Sequence, residues 1–288
     1  MRAVAVSAHL RTATVTVAQP DAERVLLRHA VRLSGDPAGR PLVLLHGFGC
    51  DSAVWRFVLP LLEDRFRVVT LDQIGAGDSD PAAYDPVRYD GLEGYADDLV
   101  QVCEALDLRD AVLVGHSVSA MTVVLAAPHL PERVTGLVLV APTPRYLDDE
   151  VTGYRGGFTR QDIEGLLEVL DSNWLGWSES MAPVIMGENH PEMAAELTRS
   201  FCRTDPQIAA QFAEVTFLSD NRADLDQAVV PALVLQCTRD ALASESIGEY
   251  VAEHLPRGEL LVLQATGHCP HMSAPAEVAE AVRRFAGT

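Results

Sequence analysis

The sequence contains no lysine. All 22 basic residues are arginine, against 41 acidic residues, which gives a formal charge of −19. Without lysine the chain cannot form a Schiff base, use a lysine as general base or hold a phosphate with a P-loop lysine. Binding to nucleic acid or to an anionic membrane needs a basic surface, so the shortage of positive charge argues against both kinds of partner.

Cysteine is scarce, and no apolar run is long. The five cysteines are odd in number, widely spaced and without a Cys-x-x-Cys pair, so we expect neither a disulfide framework nor a zinc site. The longest apolar run, at 118–128, has about 11 residues and is too short to span a bilayer. The first apolar stretch is interrupted by Ser7, His9 and Arg11, unlike a secretory signal. We therefore expect a cytoplasmic protein with no metal.

Short apolar runs alternate with segments of helical periodicity. Runs expected to be buried strands lie at 41–46, 67–71, 111–114, 137–140, 232–236 and 260–263, after two opening strands at 12–17 and 25–33. Helices are expected at 95–106 and 276–285, among others. This alternation predicts the α/β class, with a mostly parallel sheet flanked by helices.

Residues 145–226 break the alternation. They contain no convincing buried strand. Instead they contain amphipathic segments at 161–170, 191–201 and 206–218. A helical insertion between two strands usually covers the strand ends, where α/β proteins bind ligands. We therefore expect a core of residues 1–144 and 227–288, with a helical cap at 145–226.

The strongest local motif is Gly-His-Ser-Val-Ser at 115–119, between an apolar run and a helix-like segment. This is the strand–turn–helix context of a nucleophile elbow, which needs small residues two before and two after the nucleophile. Ser117 is therefore the candidate nucleophile, with Ser119 where glycine is usual. Residues 176–180 have the same pattern but no preceding strand, so we prefer Ser117.

A serine nucleophile needs a base, and the base needs an orienting carboxylate. Asp240 follows the apolar run at 232–236, and His268 follows the run at 260–263. The order Ser, Asp, His is the one found with such an elbow. We therefore predict Ser117 as nucleophile, His268 as its base and Asp240 as the partner of the base.

Other polar residues are weaker candidates. His271 lies near a predicted helix start and is expected to make local hydrogen bonds, and Cys269, which has no elbow, is expected to pack. Asp220, Asp224 and Asp226 precede the strand at 232–236 and are expected in a polar turn.

A developing oxyanion needs backbone N–H donors. We predict that Val118, directly after the nucleophile, provides one and that Phe48, in a His-Gly-Phe-Gly loop, provides the other; His46 is expected to anchor this loop. The Gly-x-Gly at 75–77 lacks a third glycine in register and a following helix, so it predicts a turn rather than a nucleotide site. No cofactor is predicted.

Together these motifs resemble the α/β-hydrolase superfamily. The segment GHSVSAM at 115–121 is similar to the elbow of the plant strigolactone and karrikin receptors. FCRTDP at 201–206, QFA at 211–213 and GHCPHMS at 267–273 are similar to RsbQ, the bacterial energy-stress regulator. The resemblance extends from about residue 41 to residue 285 and includes the cap.

The resemblance implies the α/β-hydrolase fold with a four-helix, V-shaped cap over a hydrophobic pocket, and an intact Ser117, Asp240, His268 triad. Carried over by motif, the pocket lining would be Phe48, Tyr146, Phe158, Trp177, Met181 and Phe217. Met181 stands where the plant receptors commonly have an aromatic residue, which argues against recognition of a plant hormone.

The main hypothesis is a serine hydrolase that cleaves a small hydrophobic ester or lactone through an acyl-enzyme. The alternative implied by the resemblance is an RsbQ-like signalling regulator that binds or slowly hydrolyses a small hydrophobic ligand and acts on a protein partner. A third possibility keeps the fold but catalyses a haloperoxidase-like or C–C hydrolase reaction.

Overall fold

The computed structural model describes residues 20–187 and 190–287. Its seven strands are β1 (Arg32–Gly35), β2 (Arg40–Leu45), β3 (Phe66–Leu71), β4 (Ala111–His116), β5 (Val134–Val140), β6 (Ala232–Thr238) and β7 (Gly258–Thr266). They form one sheet in the order β1-β3-β2-β4-β5-β6-β7. β1 runs antiparallel to β3, and every other neighbouring pair is parallel.

Ten α-helices accompany the sheet in the described part of the chain. They are α1 (Pro20–Arg28), α2 (Glu93–Ala105), α3 (Val118–Ala126), α4 (Arg160–Ser172), α5 (Trp174–Met186), α6 (Pro191–Phe201), α7 (Pro206–Leu218), α8 (Glu245–His254), α9 (Pro270–Ser273) and α10 (Pro275–Ala286). None of these helices is long and apolar enough to cross a membrane.

Both faces of the sheet are covered by apolar packing. Along β2, Leu42 and Leu44 belong to one apolar cluster, while Val43 and Leu45 belong to a second. Side chains alternate between the faces of a strand, so a strand buried on both sides is a continuous apolar run. The predicted α/β class is confirmed.

The prediction of a strand at 25–33 is wrong. The chain forms α1 as far as Arg28, and β1 begins only at Arg32. Asp21 and Glu23 lie in the first turn of α1 and Arg28 in the last, which favours a helix through its dipole. The predicted strand at 12–17 lies outside the described residues.

Helices α4 to α7 come between β5 and β6 in the chain, and we call residues 160–218 the helical insertion. α4 begins with a capping box in which Thr159 and Asp162 satisfy each other's backbone N–H groups. α5 packs against α6, and α4 against α7. In the described part of 145–226, the only strand-like pairings are isolated bridges.

Candidate active site

Ser117 lies at the sharp turn between β4 and α3. Its backbone has φ 56° and ψ −124°, an unfavourable conformation for a residue with a side chain. The turn is tight: a Cβ at Gly115 would lie 2.2 Å from the carbonyl oxygen of Ser119. The amide of Ser117 donates to the carbonyl oxygen of Val140 in β5 over 2.8 Å. The elbow is thus held between two strands of the sheet.

Ser119, which replaces the usual glycine, connects the elbow to the loop after β2. Its hydroxyl donates to the carbonyl oxygen of His46 over 2.5 Å and accepts from Nε2 of Gln73 over 3.1 Å. His46 anchors the same loop, because its Nε2 accepts from the amide of Gln73 over 3.1 Å. Sequence reasoning allowed Ser119 only as a small residue and missed this linking role.

The structure brings the three predicted catalytic side chains into one chain of contacts. Nδ1 of His268 lies 2.7 Å from Oδ2 of Asp240, and Nε2 of His268 lies 2.7 Å from Oγ of Ser117. Because an ionised carboxylate only accepts, Nδ1 carries the proton and Nε2 has the lone pair that accepts from the serine hydroxyl. This tautomer is the one that a general base for Ser117 requires.

Backbone contacts fix both partners of the serine. Oδ1 of Asp240 accepts from the amides of Leu242 and Ala243 over 2.8 and 3.1 Å. The amide of His268 donates to the carbonyl oxygen of Ile185 in α5 over 2.8 Å. The helical insertion therefore contacts the loop of His268 directly.

The two predicted oxyanion donors, Phe48 and Val118, lie in the loop after β2 and at the start of α3. Val118 is the first residue of α3, where an amide has no acceptor within the helix. Within the described chain, the amide of Phe48 has no acceptor either. A Cβ at Gly47 would lie 3.2 Å from Cβ of Ser117 and 2.7 Å from Nδ1 of His116. Glycine at position 47 thus lets the loop approach the elbow.

A small apolar cavity adjoins Ser117 and His268. It encloses about 30 Å³, which is room for about two water molecules. Five of the six residues predicted to line a pocket line this cavity: Phe48, Tyr146, Trp177, Met181 and Phe217. Phe158 is not among the lining residues; it packs on Tyr146, with ring centroids 6.1 Å apart.

Several lining residues were missed from the sequence. They are Cys50, His116, Ile185, Leu197, Phe201, Thr216, Leu242 and Cys269. Ile185, Leu197 and Phe201 are apolar residues whose spacing on a helix equally predicts ordinary core packing. Only tertiary structure shows which of them face the cavity.

Burial keeps the polar groups near the serine neutral. It raises the pKa of Tyr146 to about 12, although the neighbouring Ser117 hydroxyl acts in the opposite direction. Burial, reinforced by His268, lowers the pKa of His116 to about 3. At neutral pH the cavity wall therefore contains a phenol and a neutral imidazole.

The weaker candidates from the sequence, His271, Cys269 and Ser178, are all buried. The expectation of local hydrogen bonds at His271 is wrong: among the described residues neither ring nitrogen has a partner, and the ring packs on Trp55. Cys269 is buried, as expected. Ser178, in the competing motif at 176–180, lies within α5 and donates to the carbonyl oxygen of Trp174.

The three acidic residues before β6 lie apart from the catalytic contacts. Asp220 pairs with Arg145 and Arg222, and Asp224 accepts from the side chain of Asn221 over 3.1 Å. Asp226 lies in a short 3₁₀ helix. The segment is polar, as expected, but Asp224 and Asp226 lie in a 3₁₀ helix rather than in a turn alone.

Residues 42–281 match the alpha/beta hydrolase family, and the chain belongs to that family. It is 36% identical over 247 residues to strigolactone esterase D14 of Arabidopsis thaliana, covering 85% of this chain and 91% of the relative. It is 36% identical over 249 residues to the karrikin insensitive 2 receptor CA of Petunia hybrida, covering 86% of this chain and 91% of the relative.

Among solved structures, a hydrolase from Oleispira antarctica has a TM-score of 0.91 and 38% identity, covering 95% of this chain and 100% of that one. The resemblance to α/β hydrolases and to the plant receptors, first given by short motifs, is thereby confirmed. The chain is an α/β hydrolase.

Proposed function

We propose that this protein is a serine hydrolase that cleaves a small hydrophobic ester or lactone through an acyl-enzyme. The observation that carries the proposal is the unbroken contact from Asp240 through His268 to Ser117, with 2.7 Å at each step. The backbone strain at Ser117 adds support, because strained residues cluster at active sites. The esterase named among the relatives acts on a compound of this class, a strigolactone.

In the proposed mechanism, Oγ of Ser117 attacks the carbonyl carbon while Nε2 of His268 takes the hydroxyl proton. Asp240 stabilises the imidazolium, and the amides of Phe48 and Val118 stabilise the oxyanion. Loss of one such donor typically costs about 3–4 kcal/mol in the transition state. His268 then protonates the leaving alkoxide, which stays tethered in a lactone. Water, deprotonated by His268, finally releases the acid and restores Ser117.

The cavity favours a short, neutral acyl group. It is enclosed by aromatic and aliphatic side chains, and its volume of about 30 Å³ leaves little room for a long chain. We also propose that residues 145–226 act as a cap, because the cavity wall includes Trp177, Met181 and Leu197 from the helical insertion. Longer substrates then require these helices to move.

The test is hydrolysis of p-nitrophenyl acetate and butyrate by the wild type, Ser117→Ala and His268→Ala, with intact-mass detection of an acyl adduct. We expect turnover in the wild type, loss in both variants and an adduct on Ser117. Equal rates in all three proteins would exclude the triad assignment.

The signalling alternative is supported by the comparisons, because a receptor is among the relatives. Leu175 and Val184 are exposed apolar residues of α5, but they stand nine residues apart and so lie on opposite sides of the helix, which makes no single apolar patch. A stable adduct on Ser117 with negligible turnover would favour this function over the hydrolase.

A further inference from the structure

Three side chains beside His268 form a buried cluster that the proposed mechanism does not use as a unit. They are His116, Cys269 and His271, none of them exposed by more than 2%. One nitrogen of each ring and the cysteine sulfur all lie within 4.8 Å of one another. Imidazole nitrogen and thiolate sulfur are the ligands that Zn²⁺ and other thiophilic ions prefer.

The polar atoms of this cluster are poorly satisfied. Within the described chain, Nδ1 of His116 and both ring nitrogens of His271 have no hydrogen-bond partner. A buried polar atom without a partner is costly, so each instance needs a physical reason such as an ion. Packing alone does not supply one for His271, because a phenylalanine would fill the space beside Trp55 without unpaired nitrogens.

His116 already makes the second contact that is typical of a metal-binding histidine. Its Nε2 lies 2.8 Å from the carbonyl oxygen of His268, and since a carbonyl only accepts, Nε2 carries the proton. The lone pair is then on Nδ1. Metal-binding histidines commonly donate their other N–H to a backbone carbonyl in this way, which fixes both the tautomer and the ring orientation.

We propose that His116, Cys269 and His271 bind a thiophilic transition-metal ion, for which Zn²⁺ is the representative. Three protein ligands leave a fourth tetrahedral position for a small ligand. His116 and Cys269 also line the catalytic cavity, so an ion can enter from that side. The sequence predicted no metal site because the cysteines are odd in number, widely spaced and without a Cys-x-x-Cys pair. That prediction could not take account of His116, which is far from Cys269 and His271 in sequence.

An ion at this site would compete with substrate. The cavity encloses only about 30 Å³, and the ion with its fourth ligand would take space that the acyl group needs. We therefore expect Zn²⁺ to raise the KM for p-nitrophenyl acetate without changing kcat. This consequence rests on the proposed function, whereas the binding itself does not.

The experiment titrates chelator-treated full-length protein with Co²⁺ and then with Zn²⁺. We expect one Co²⁺ per chain, a thiolate-to-cobalt charge-transfer band, and displacement of Co²⁺ by Zn²⁺. Cys269→Ala and His271→Phe should each lose the band and weaken Zn²⁺ binding by more than about 100-fold, since removal of even an outer partner typically costs about 10- to 100-fold. Cys202→Ala removes an exposed thiol and should bind as the wild type does.

The cobalt absorbance does not depend on catalysis. It therefore tests metal binding even if the protein hydrolyses no ester. Circular dichroism checks that each variant folds. If Cys269→Ala does not fold, His271→Phe tests the metal site instead, because it keeps an aromatic ring against Trp55. No band in the wild type, a band that survives in folded His271→Phe, or a band lost in Cys202→Ala would overturn the proposal.

Discussion

Ser117 has a backbone conformation that a residue with a side chain rarely adopts, with φ 56° and ψ −124°. Such strain typically costs about 1–3 kcal/mol and persists only where the surroundings enforce it. Two hydrogen bonds enforce it here. The backbone amide of Ser117 donates to the carbonyl oxygen of Val140, and the hydroxyl of Ser119 donates to the carbonyl oxygen of His46. The strain directs the serine hydroxyl toward His268 rather than along the strand.

Gly47 is predicted to be essential to the oxyanion site. In Gly47→Ala the new Cβ would lie 2.7 Å from Nδ1 of His116, so the loop must shift and carry the Phe48 amide with it. We expect kcat for p-nitrophenyl acetate to fall by about 10²–10³, the usual effect of losing one oxyanion donor. Gly165→Ala is the control, because a Cβ there meets no atom within 4 Å. Wild-type kcat in Gly47→Ala would contradict this role.

Helix α6 lies between the cavity beside Ser117 and a groove on the surface. Leu197 lines both spaces, and the groove side also contains Arg199, Arg203 and Glu196. Arg203 pairs with Asp51 over 3.0 Å, which connects the segment between α6 and α7 to the core. A single side chain on one helix therefore limits how far the cavity extends.

Leu197→Ala is predicted to lengthen the accepted acyl chain. Joining the cavity to the groove would bury additional methylenes, each worth about 0.8 kcal/mol or about fourfold in kcat/KM. The measurement is the ratio of kcat/KM for p-nitrophenyl hexanoate to that for acetate. Leu170→Ala removes an equally buried leucine of α4 that lines neither space. An equal rise in both variants would point to general loosening instead.

An ion-pair network joins the segments on either side of the helical insertion. Arg222 contacts Asp149 over 2.9 Å and Asp220 over 2.8 Å. Hydrogen bonds from Thr152 and Arg222 lower the pKa of Asp149 to about 2, and Arg222 lowers the pKa of Asp220 to about 2. The network thus favours both ionised carboxylates in the folded state.

Arg222→Gln is predicted to destabilise the protein at neutral pH but much less in acid. The carboxylates have folded pKa values below their unfolded value of about 3.9, so their contribution is present above pH 4 and lost as pH falls toward 2. The measurement is the urea midpoint relative to wild type at pH 7 and near pH 2.5. Arg24→Gln, which removes an exposed pair with Asp21, should show little effect at either pH. A pH-independent deficit in Arg222→Gln would contradict the linkage.

At the scale of the whole molecule, a parallel sheet creates the site. β4, β6 and β7 end at His116, Thr238 and Thr266, and Ser117, Asp240 and His268 follow within two residues. Because parallel strands end at the same edge, residues far apart in sequence converge there. The whole chain also has a formal charge of −19. The electrostatic field of this charge acts on any charged substrate.

The net charge predicts discrimination against anionic esters. None of the described cavity-lining residues is an arginine, so nothing there offsets the long-range repulsion of an anion. At low salt we expect kcat/KM for p-nitrophenyl acetate to exceed that of a carboxylate-bearing analogue by about tenfold. Raising ionic strength from about 0.01 to 0.15 M shortens the Debye length from about 30 to 8 Å, so the ratio should fall. A salt-independent ratio would assign the discrimination to the cavity itself.

Local patterns in the sequence determined the class of fold and the candidate triad. Apolar runs of strand length, small residues around Ser117, and polar residues directly after strands are features of a few neighbouring positions. They failed at 25–33, where consecutive apolar residues near the end of α1 were taken for a strand. The charges in that region indicate a helix instead, because Asp21 and Glu23 lie in the first turn of α1 and Arg28 lies in the last.

Only the tertiary structure decided which side chains share a space. It showed that Leu197 lines both the cavity and the surface groove. It also showed that Phe158 packs outside the cavity lining and that His116 lies close to Cys269 and His271. These relations depend on how the helical insertion and the loops after the strands pack together. Spacing along the chain carries the periodicity of one helix or strand, but not the distance between two of them.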